Sequence, residues 1–220
     1  MRKSIMASMA AALLALGCSQ GNSETAQGSD PKPTPKIEGV APEAEFSKAP
    51  SGTYVTDPKH RYITFTYLHQ GYSHPFLRWR NWEGELTWNA EDPAASLISV
   101  IIDTESIDSG VDMFDGHLKS EGFFNAEAYP EITFVSTKAE RTSPRAGKVT
   151  GDLTIKGVTK PVTLDVVFNK ADAAQDGGHK IGFSAKGTVM RSDYGLDKYV
   201  PMISDEVEVI IEAELISSSN

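Results

Sequence analysis

Cysteine is nearly absent from this chain of 220 residues: there is one, Cys18. A monomer can therefore form no disulfide, and no zinc site built on thiolates is available. The five histidines never fall at His-x-x-x-His spacing, so no metal is expected. Gly71-Tyr72-Ser73-His74 lacks the Gly-x-Ser-x-Gly turn of a hydrolase nucleophile elbow. No glycine-rich loop precedes a helix to cradle phosphate. Thr154-Ile155-Lys156-Gly157 reads as a hairpin, with Lys156, Gly157 and Lys160 supplying turn chemistry. Positive charge is scarce too. Lys and Arg number 21 against 30 Asp and Glu, a net charge of -9 that falls further if Arg2 and Lys3 are removed. Phosphate backbones need clustered basic side chains, so nucleic acid is not an expected partner, and neither is electrostatic docking on anionic lipid.

Long apolar runs are lacking as well. Met1-Arg2-Lys3 precedes an apolar stretch from Ile5 to Leu16 and then Gly17. This is too short for a stable membrane span and has the layout of a signal peptide, residues 1–17. Ala15-Leu16-Gly17-Cys18 resembles a bacterial lipobox, which makes Cys18 the expected lipidation site. An ordinary secretory signal is the alternative. Ser19 after the cysteine points to the outer membrane by resemblance to the bacterial sorting rule. The expected location is thus periplasmic and lipid-anchored, or else soluble periplasmic or secreted. Residues 18–51 form the lipidated N-terminus and a linker. This linker holds Pro31, Pro33, Pro35, Pro42 and Pro50 and few large apolar side chains. It cannot bury enough surface to fold and reads as a disordered tether reaching roughly 30 Å.

From residue 52 to 217 the pattern has period two. Ile63, Phe65 and Tyr67 alternate with Thr64 and Thr66; Trp82, Gly84, Leu86 and Trp88 alternate with Glu83, Glu85 and Thr87. Similar segments run over 97–103, 132–135, 149–155, 162–168 and 181–185. Val207, Val209, Ile211, Ala213 and Leu215 then alternate with four glutamates. One apolar and one wet face means antiparallel sheet. The rhythm breaks over 104–130, where Met113 to Ser120 can make two helical turns. About eight strands with a short helical insert predict an all-β fold, an eight-stranded antiparallel lipocalin-like β-barrel with room for one slender ligand. A two-sheet sandwich with a solid core is the competing architecture.

Strand parity turns Phe65, Tyr67, Phe134, Leu153, Leu164, Phe183 and Val209 inward, to line a tunnel or fill a core. His69 continues the parity of Phe65 and Tyr67, so it either meets a ligand's polar head or is a buried structural histidine. Asp115 and His117 stand two apart on the insert and do not share a helix face, which disfavours a catalytic or metal pair. Asp115 is expected to pair locally, and His117 to face the barrel mouth. Asp57, before His60, is expected to close an Asx turn.

Five segments in order resemble the YceI-like family, lipocalin-like periplasmic or secreted barrels associated with polyisoprenoid lipids. The first is Gly52-Thr53-Tyr54 with Asp57-Pro58-Lys59-His60, running on to His69-Gln70-Gly71-Tyr72-Ser73. The second is Ser106-Ile107-Asp108 with Asp115-Gly116-His117-Leu118-Lys119-Ser120 and Phe123-Phe124-Asn125. The third is Tyr129-Pro130-Glu131-Ile132-Thr133-Phe134. The fourth and most specific runs from Thr150-Gly151-Asp152 through Lys156-Gly157-Val158-Thr159-Lys160-Pro161-Val162. The last is Arg191-Ser192-Asp193-Tyr194-Gly195, followed by Asp205-Glu206-Val207. Where the family pattern has an arginine and a glycine, this chain has Phe114 and Leu77. The resemblance implies a protein that binds and carries or stores an isoprenoid-type lipid, polyprenyl or quinone-like. The ligand-binding set is then Phe65, Tyr67, His69, Phe114, His117, Phe134, Leu153, Leu164 and Phe183, with no catalytic residue and no cofactor. Losing the arginine at Phe114 shifts the expected head from phosphorylated to neutral. The expected partners are that lipid, and the membrane through the lipid anchor; a homodimer stays open. Two other readings remain. One is an enzyme modifying an isoprenoid or quinone with His69, His117 and Asp115. The other is a ligand-free interaction module whose barrel is filled and whose Trp79, Trp82 and Trp88 are exposed contacts.

Overall fold

A computed structural model describes residues 46, 48–175 and 177–217. The signal segment, Cys18, Ser19 and most of the linker lie outside the described residues. Ten strands and one α-helix follow: β1 (Gly52–Thr66), β2 (Phe76–Trp79), β3 (Trp82–Trp88), β4 (Leu97–Asp103), β5 (Ile107–Asp108), α1 (Asp112–Lys119), β6 (Glu131–Arg141), β7 (Ala146–Ile155), β8 (Val158–Ala173), β9 (His179–Met190) and β10 (Glu206–Ile216). Every pairing is antiparallel, in the order β10-β9-β8-β7-β6-β4-β3-β1, and β1 then pairs with β10 to close the ring. The sheet thus has no open seam where an edge strand would sit.

The ring has eight staves because two of them are interrupted. β1 pairs with β3 through Gly52–Val55 and with β2 through Ile63–Thr66, so β2 and β3 are one stave broken at Arg80 and Asn81. β4 and β5 continue one another across a 3-10 turn at Thr104–Ser106, with β5 paired to β2. Alternation does what it predicts: β3 buries Trp82, Gly84, Leu86 and Trp88 and exposes the residues between. On β10 the inward Val207, Val209, Ile211 and Ala213 are only half-buried, because they face a hollow rather than a packed core. The closed barrel, not the sandwich, is the architecture.

Local chemistry sets the turns. Lys156 (φ 51°) and Gly157 (φ 74°) both take positive φ, giving the two-residue hairpin between β7 and β8. α1 carries Asp112 and Asp115 in its first turn and His117 and Lys119 in its last, each complementing the helix dipole. Phe114, His117 and Leu118 fall at i, i+3 and i+4, and this face lies on the barrel interior. Asp115 accepts hydrogen bonds from the Ser109 backbone N–H (2.8 Å) and hydroxyl, which ties the helix to the preceding loop.

The two ends of the barrel differ. At the end where β1 begins, Phe46 packs on Phe168 (ring centroids 4.6 Å apart) and on Trp88 (5.9 Å), and Phe183 packs edge-on against Trp88 and Phe168. Trp88 Nε1 donates to the Ala49 carbonyl (2.9 Å) and Tyr54 Oη to the Pro50 carbonyl (2.8 Å), so the segment before β1 is held as a plug. At the other end α1 and residues 120–130 cover the barrel, with Phe124 edge-on to Trp79 at 5.1 Å. Among the described residues no helix is long and apolar enough to cross a membrane.

The three tryptophans are a correction. Trp79, Trp82 and Trp88 are buried to 7%, 3% and 4% exposure, so none is a surface contact. All three lie on inward positions of β2 and β3, and parity overrides the tendency of tryptophan to sit at interfaces. The filled barrel that the interaction-module reading required is not present either, as the interior is hollow.

Candidate functional site

Between the plug and the helix lies a cavity of about 420 Å³. Its wall is nearly all hydrocarbon and aromatic, drawn from every stave and from α1. Two glycines shape it. A Cβ on Gly151 would lie 2.4 Å from Phe134 Cζ, and one on Gly187 would lie 2.5 Å from Leu164 Cδ2. Phe134 and Leu164 therefore lie down across neighbouring staves, where the missing side chains make room, instead of projecting into the hollow.

Eight of the nine residues expected from sequence share this one wall: Phe65, Tyr67, Phe134, Leu153, Leu164 and Phe183 from strands or their ends, and Phe114 and His117 from α1. Val209 joins them. His69 does not. β1 ends at Thr66, and the chain turns back through Gln70 and Gly71, both with positive φ. The His69 N–H donates to the Ser73 carbonyl (2.8 Å), and its carbonyl accepts from the Tyr72 N–H (2.9 Å). Strand parity cannot be extrapolated past the end of its strand, so this histidine belongs to a turn and not to the cavity wall.

Polar groups on the wall are few. Burial pushes the Tyr67 phenol up, with the charge of Arg191 acting in the opposite direction. Burial, with a smaller contribution from Asp193, pushes Tyr194 up to about 12. The Tyr194 hydroxyl and Trp82 Nε1 are fully buried without a hydrogen-bond partner among the described residues. The His117 ring packs on Phe123 (4.6 Å) and Phe114 (6.5 Å), and it stands at the surface end of the wall. Arg191 is held down by burial, while Asp205 and Asp197 work against that. Its guanidinium donates to the carbonyls of Ser204 (2.8 Å), Lys198 (2.9 Å), Ile203 (3.0 Å) and Leu196, which fixes the loop before β10.

Sequence reading missed several wall residues: Leu77, Trp79 and Tyr194 line the cavity, as does Arg191. β2 is only four residues long, too short for alternation to register. Arg191 and Tyr194 stand in a 3-10 turn, where period-two logic has nothing to read.

The enzyme reading needs His69, His117 and Asp115 to cooperate. Asp115 is engaged by Ser109 and His69 lies off the wall, and no hydrogen bond or ion pair joins the three among the described residues. Among the described residues one group has metal-like spacing: Asp57, His60 and Glu214. Lys180 Nζ already supplies a cation there, 2.7 Å from Glu214 and 3.4 Å from Asp57. Asp57 also accepts from the Lys59 N–H (3.0 Å), closing the Asx turn at the bulge of β1.

A family model described as a YceI-like domain matches residues 54–215. Protein YceI of Escherichia coli O6:H1 is 35% identical over 156 residues, covering 71% of this chain and 81% of that protein. The YCEI protein of Campylobacter jejuni superposes with a TM-score of 0.63 at 30% identity, over 66% of this chain and 86% of that one. A polyisoprenoid binding domain from Saccharophagus degradans, implicated in plant cell wall breakdown, shares the fold at a TM-score of 0.58 and 13% identity, over 76% and 99% of the two chains.

Proposed function

Since the chain belongs to the YceI-like family, we propose that its barrel binds an apolar isoprenoid-type lipid, polyprenyl or quinone-like, and carries or stores it in the bacterial periplasm. The observation that carries this reading is the continuous apolar cavity of about 420 Å³ in a closed barrel. A fold shared with a polyisoprenoid binding domain supports the same ligand class.

Magnitudes say where affinity resides. Each buried CH₂ contributes about 0.8 kcal/mol, so ten of them contribute roughly 8 kcal/mol before the entropic cost of binding. A neutral hydrogen bond nets about 1 kcal/mol. The hydrocarbon wall therefore holds the chain, and Tyr67 and His117 orient the head. Phe114 on the wall, in place of the family's arginine, favours a neutral head. The donors of Arg191 are largely occupied by four backbone carbonyls.

Family membership and the hydrocarbon wall support a binder over an enzyme, and His69, His117 and Asp115, which an enzyme reading needs, are not brought together. Its anchor is a lipidated Cys18 in the outer membrane. Organic extracts of the natively purified protein, examined by mass spectrometry, should contain one unchanged isoprenoid. A chemically converted product would favour an enzyme, and an empty extract from folded protein would refute the binder. The intact mass of the mature N-terminus tests the anchor: an unmodified Cys18, or cleavage elsewhere, refutes it.

A further inference from the structure

Large apolar side chains left in water are distributed unevenly over this barrel. Near the plugged end the exposed ones, Leu97 (55%), Val55 (47%) and Val167 (43%), stand on three different strands, and the loops there, residues 89–96, 142–145 and 174–178, expose none among the described residues. At the α1 end, Tyr72 is 86% exposed, Met113 85%, Phe76 65%, Met202 56% and Tyr199 45%. They come from four places: Tyr72 from the turn between β1 and β2, Phe76 from the first residue of β2, Met113 from the start of α1, and Tyr199 and Met202 from the loop before β10.

These segments form one rim. The Gln70 N–H donates to the Met202 carbonyl (3.2 Å), the Ser204 N–H to the Leu68 carbonyl (3.0 Å), and the Leu68 N–H to Ser204 Oγ (2.9 Å). The Phe123 ring lies 6.4 Å from Tyr199 and 4.6 Å from His117, which joins α1 to the loop. Arg191 pins that loop from below through its four carbonyls. The exposed tips are therefore held out on fixed backbone and cannot fold back under their own hydrophobicity.

The rim is continuous with the cavity. Phe114 lines the wall and Met113, its neighbour, faces water; Ile203 lines the wall and Met202 faces water; Tyr199 does both. An apolar path thus runs from the hollow over the lip to the outside. Where the wall runs out at the opposite end it meets Glu140, Arg141, Arg145 and Lys148, charged groups that flank Pro93 and Leu97.

We infer that the α1 end is a membrane-docking rim, on which Tyr72, Met113 and Met202 enter the headgroup layer of a zwitterionic bilayer and open the cavity onto it. The inference rests on the lipid-binding reading, since a ligand that dissolves in bilayers otherwise has to cross water to reach the cavity. Exposed contiguous apolar surface marks such sites, and each tip gains free energy on leaving water. Tyrosine suits the interfacial layer, with an apolar body and a polar tip. Charge selects the surface: Asp112, Glu121 and Asp197 outnumber Lys198 on the rim, while Lys119 is paired with Glu105 (3.6 Å). Anionic lipid is therefore repelled and zwitterionic lipid is not. A second copy of this chain seated on the rim would seal the opening that the ligand needs.

The test uses the processed full chain with a single cysteine label, an environment-sensitive fluorophore at Met202→Cys or, at the plugged end, at Asn89→Cys. Each is mixed with phosphatidylcholine vesicles, free of isoprenoid, that carry a nitroxide near the headgroup. The label at 202 should shift to the blue and lose most of its emission, while the label at 89 should change little. Replacing a third of the phosphatidylcholine with phosphatidylglycerol should weaken the effect at 202. A triple variant, Tyr72→Asp, Met113→Asp and Phe76→Asp, should abolish the quenching at 202 while its circular dichroism spectrum matches the parent's, because all three side chains are exposed and none lines the cavity. No quenching at 202, or equal quenching at both sites, overturns the rim and leaves the binder standing. Quenching at 202 with an empty organic extract keeps the rim and removes the binder. A blue shift at 202 that needs no vesicles and grows with protein concentration assigns the rim to a second copy and overturns the inference.

Discussion

The ring of Phe134 lies across Gly151 so closely that a Cβ there would stand 2.4 Å from Phe134 Cζ and 2.6 Å from the Val135 carbonyl oxygen. The glycine is what lets an aromatic side chain lie along the inside of the barrel without filling it. Gly151→Ala must displace Phe134 towards the cavity or push β6 and β7 apart. Such overpacking costs about 1–3 kcal/mol. Urea denaturation should report that loss, and less isoprenoid should co-purify. A variant as stable as the parent would mean that Phe134 has another rotamer available at no cost.

Leu164 and His69 separate wall from turn. Leu164 lies over Gly187 on the cavity wall, and a carboxylate there is buried without a partner. Leu164→Asp should therefore remove the bound isoprenoid in protein that remains folded by circular dichroism, and Phe65→Asp should do the same. His69→Ala should leave the amount of lipid per protein unchanged, because its backbone serves the turn and it is not among the residues that line the cavity. Lipid retained in folded Leu164→Asp, or lost in His69→Ala, would move the ligand out of this cavity.

Phe114 bears on the head. It occupies the wall near His117, at the surface end of the cavity. Phe114→Arg places a cation where the family pattern has one. A charge-assisted hydrogen bond is worth roughly 1.5–3 kcal/mol, so preference for a polyprenyl phosphate over the neutral polyprenol should rise about tenfold or more. Competition binding with the two lipids measures the ratio. An unchanged ratio would mean that the head lies elsewhere along the cavity.

How legible all this was in the sequence depended on the element. β3 and β10 were plain, since alternation over seven to eleven residues leaves one reading of which face is wet. The helical insert was visible because it broke that rhythm. What the residues alone could not supply was the hollow. Phe183 reads identically whether it fills a core or lines a cavity, and the difference lies in how Gly151 and Gly187 let their neighbours recline. His69 is not on the wall because the chain leaves the strand after Thr66 and turns back at Gln70 and Gly71. Trp82 and Trp88 were visible as inward residues, yet their side-chain type suggested a surface role; burial followed the strand and not the residue. The rim residues Tyr72 and Met202 sit in loops and Met113 in the first turn of a two-turn helix, where no strand period marks which side chains are left exposed.

Acid should find one particular weak point. The Asp57 carboxyl is held down to about 2, from 3.8, first by the hydrogen bond from the His60 ring (2.8 Å), then by the Lys59 N–H and by Lys180, while its burial works in the opposite direction. Lys180 is in turn raised, chiefly by its hydrogen bond to Glu214, so the cluster ties the bulge of β1 to β9 and β10. The sign follows from the depressed carboxyl. Its stabilisation is fully present above the unfolded value near 3.8 and is lost as pH falls towards 2. A shift of that size corresponds to at most about 2.5 kcal/mol. Urea midpoints measured from neutral pH down to pH 2 should fall along this limb. Asp57→Asn should be less stable at neutral pH and should flatten the limb, converging on the parent at the acid end. Parallel curves for parent and variant would mean that the carboxylate at the bulge contributes nothing to acid stability.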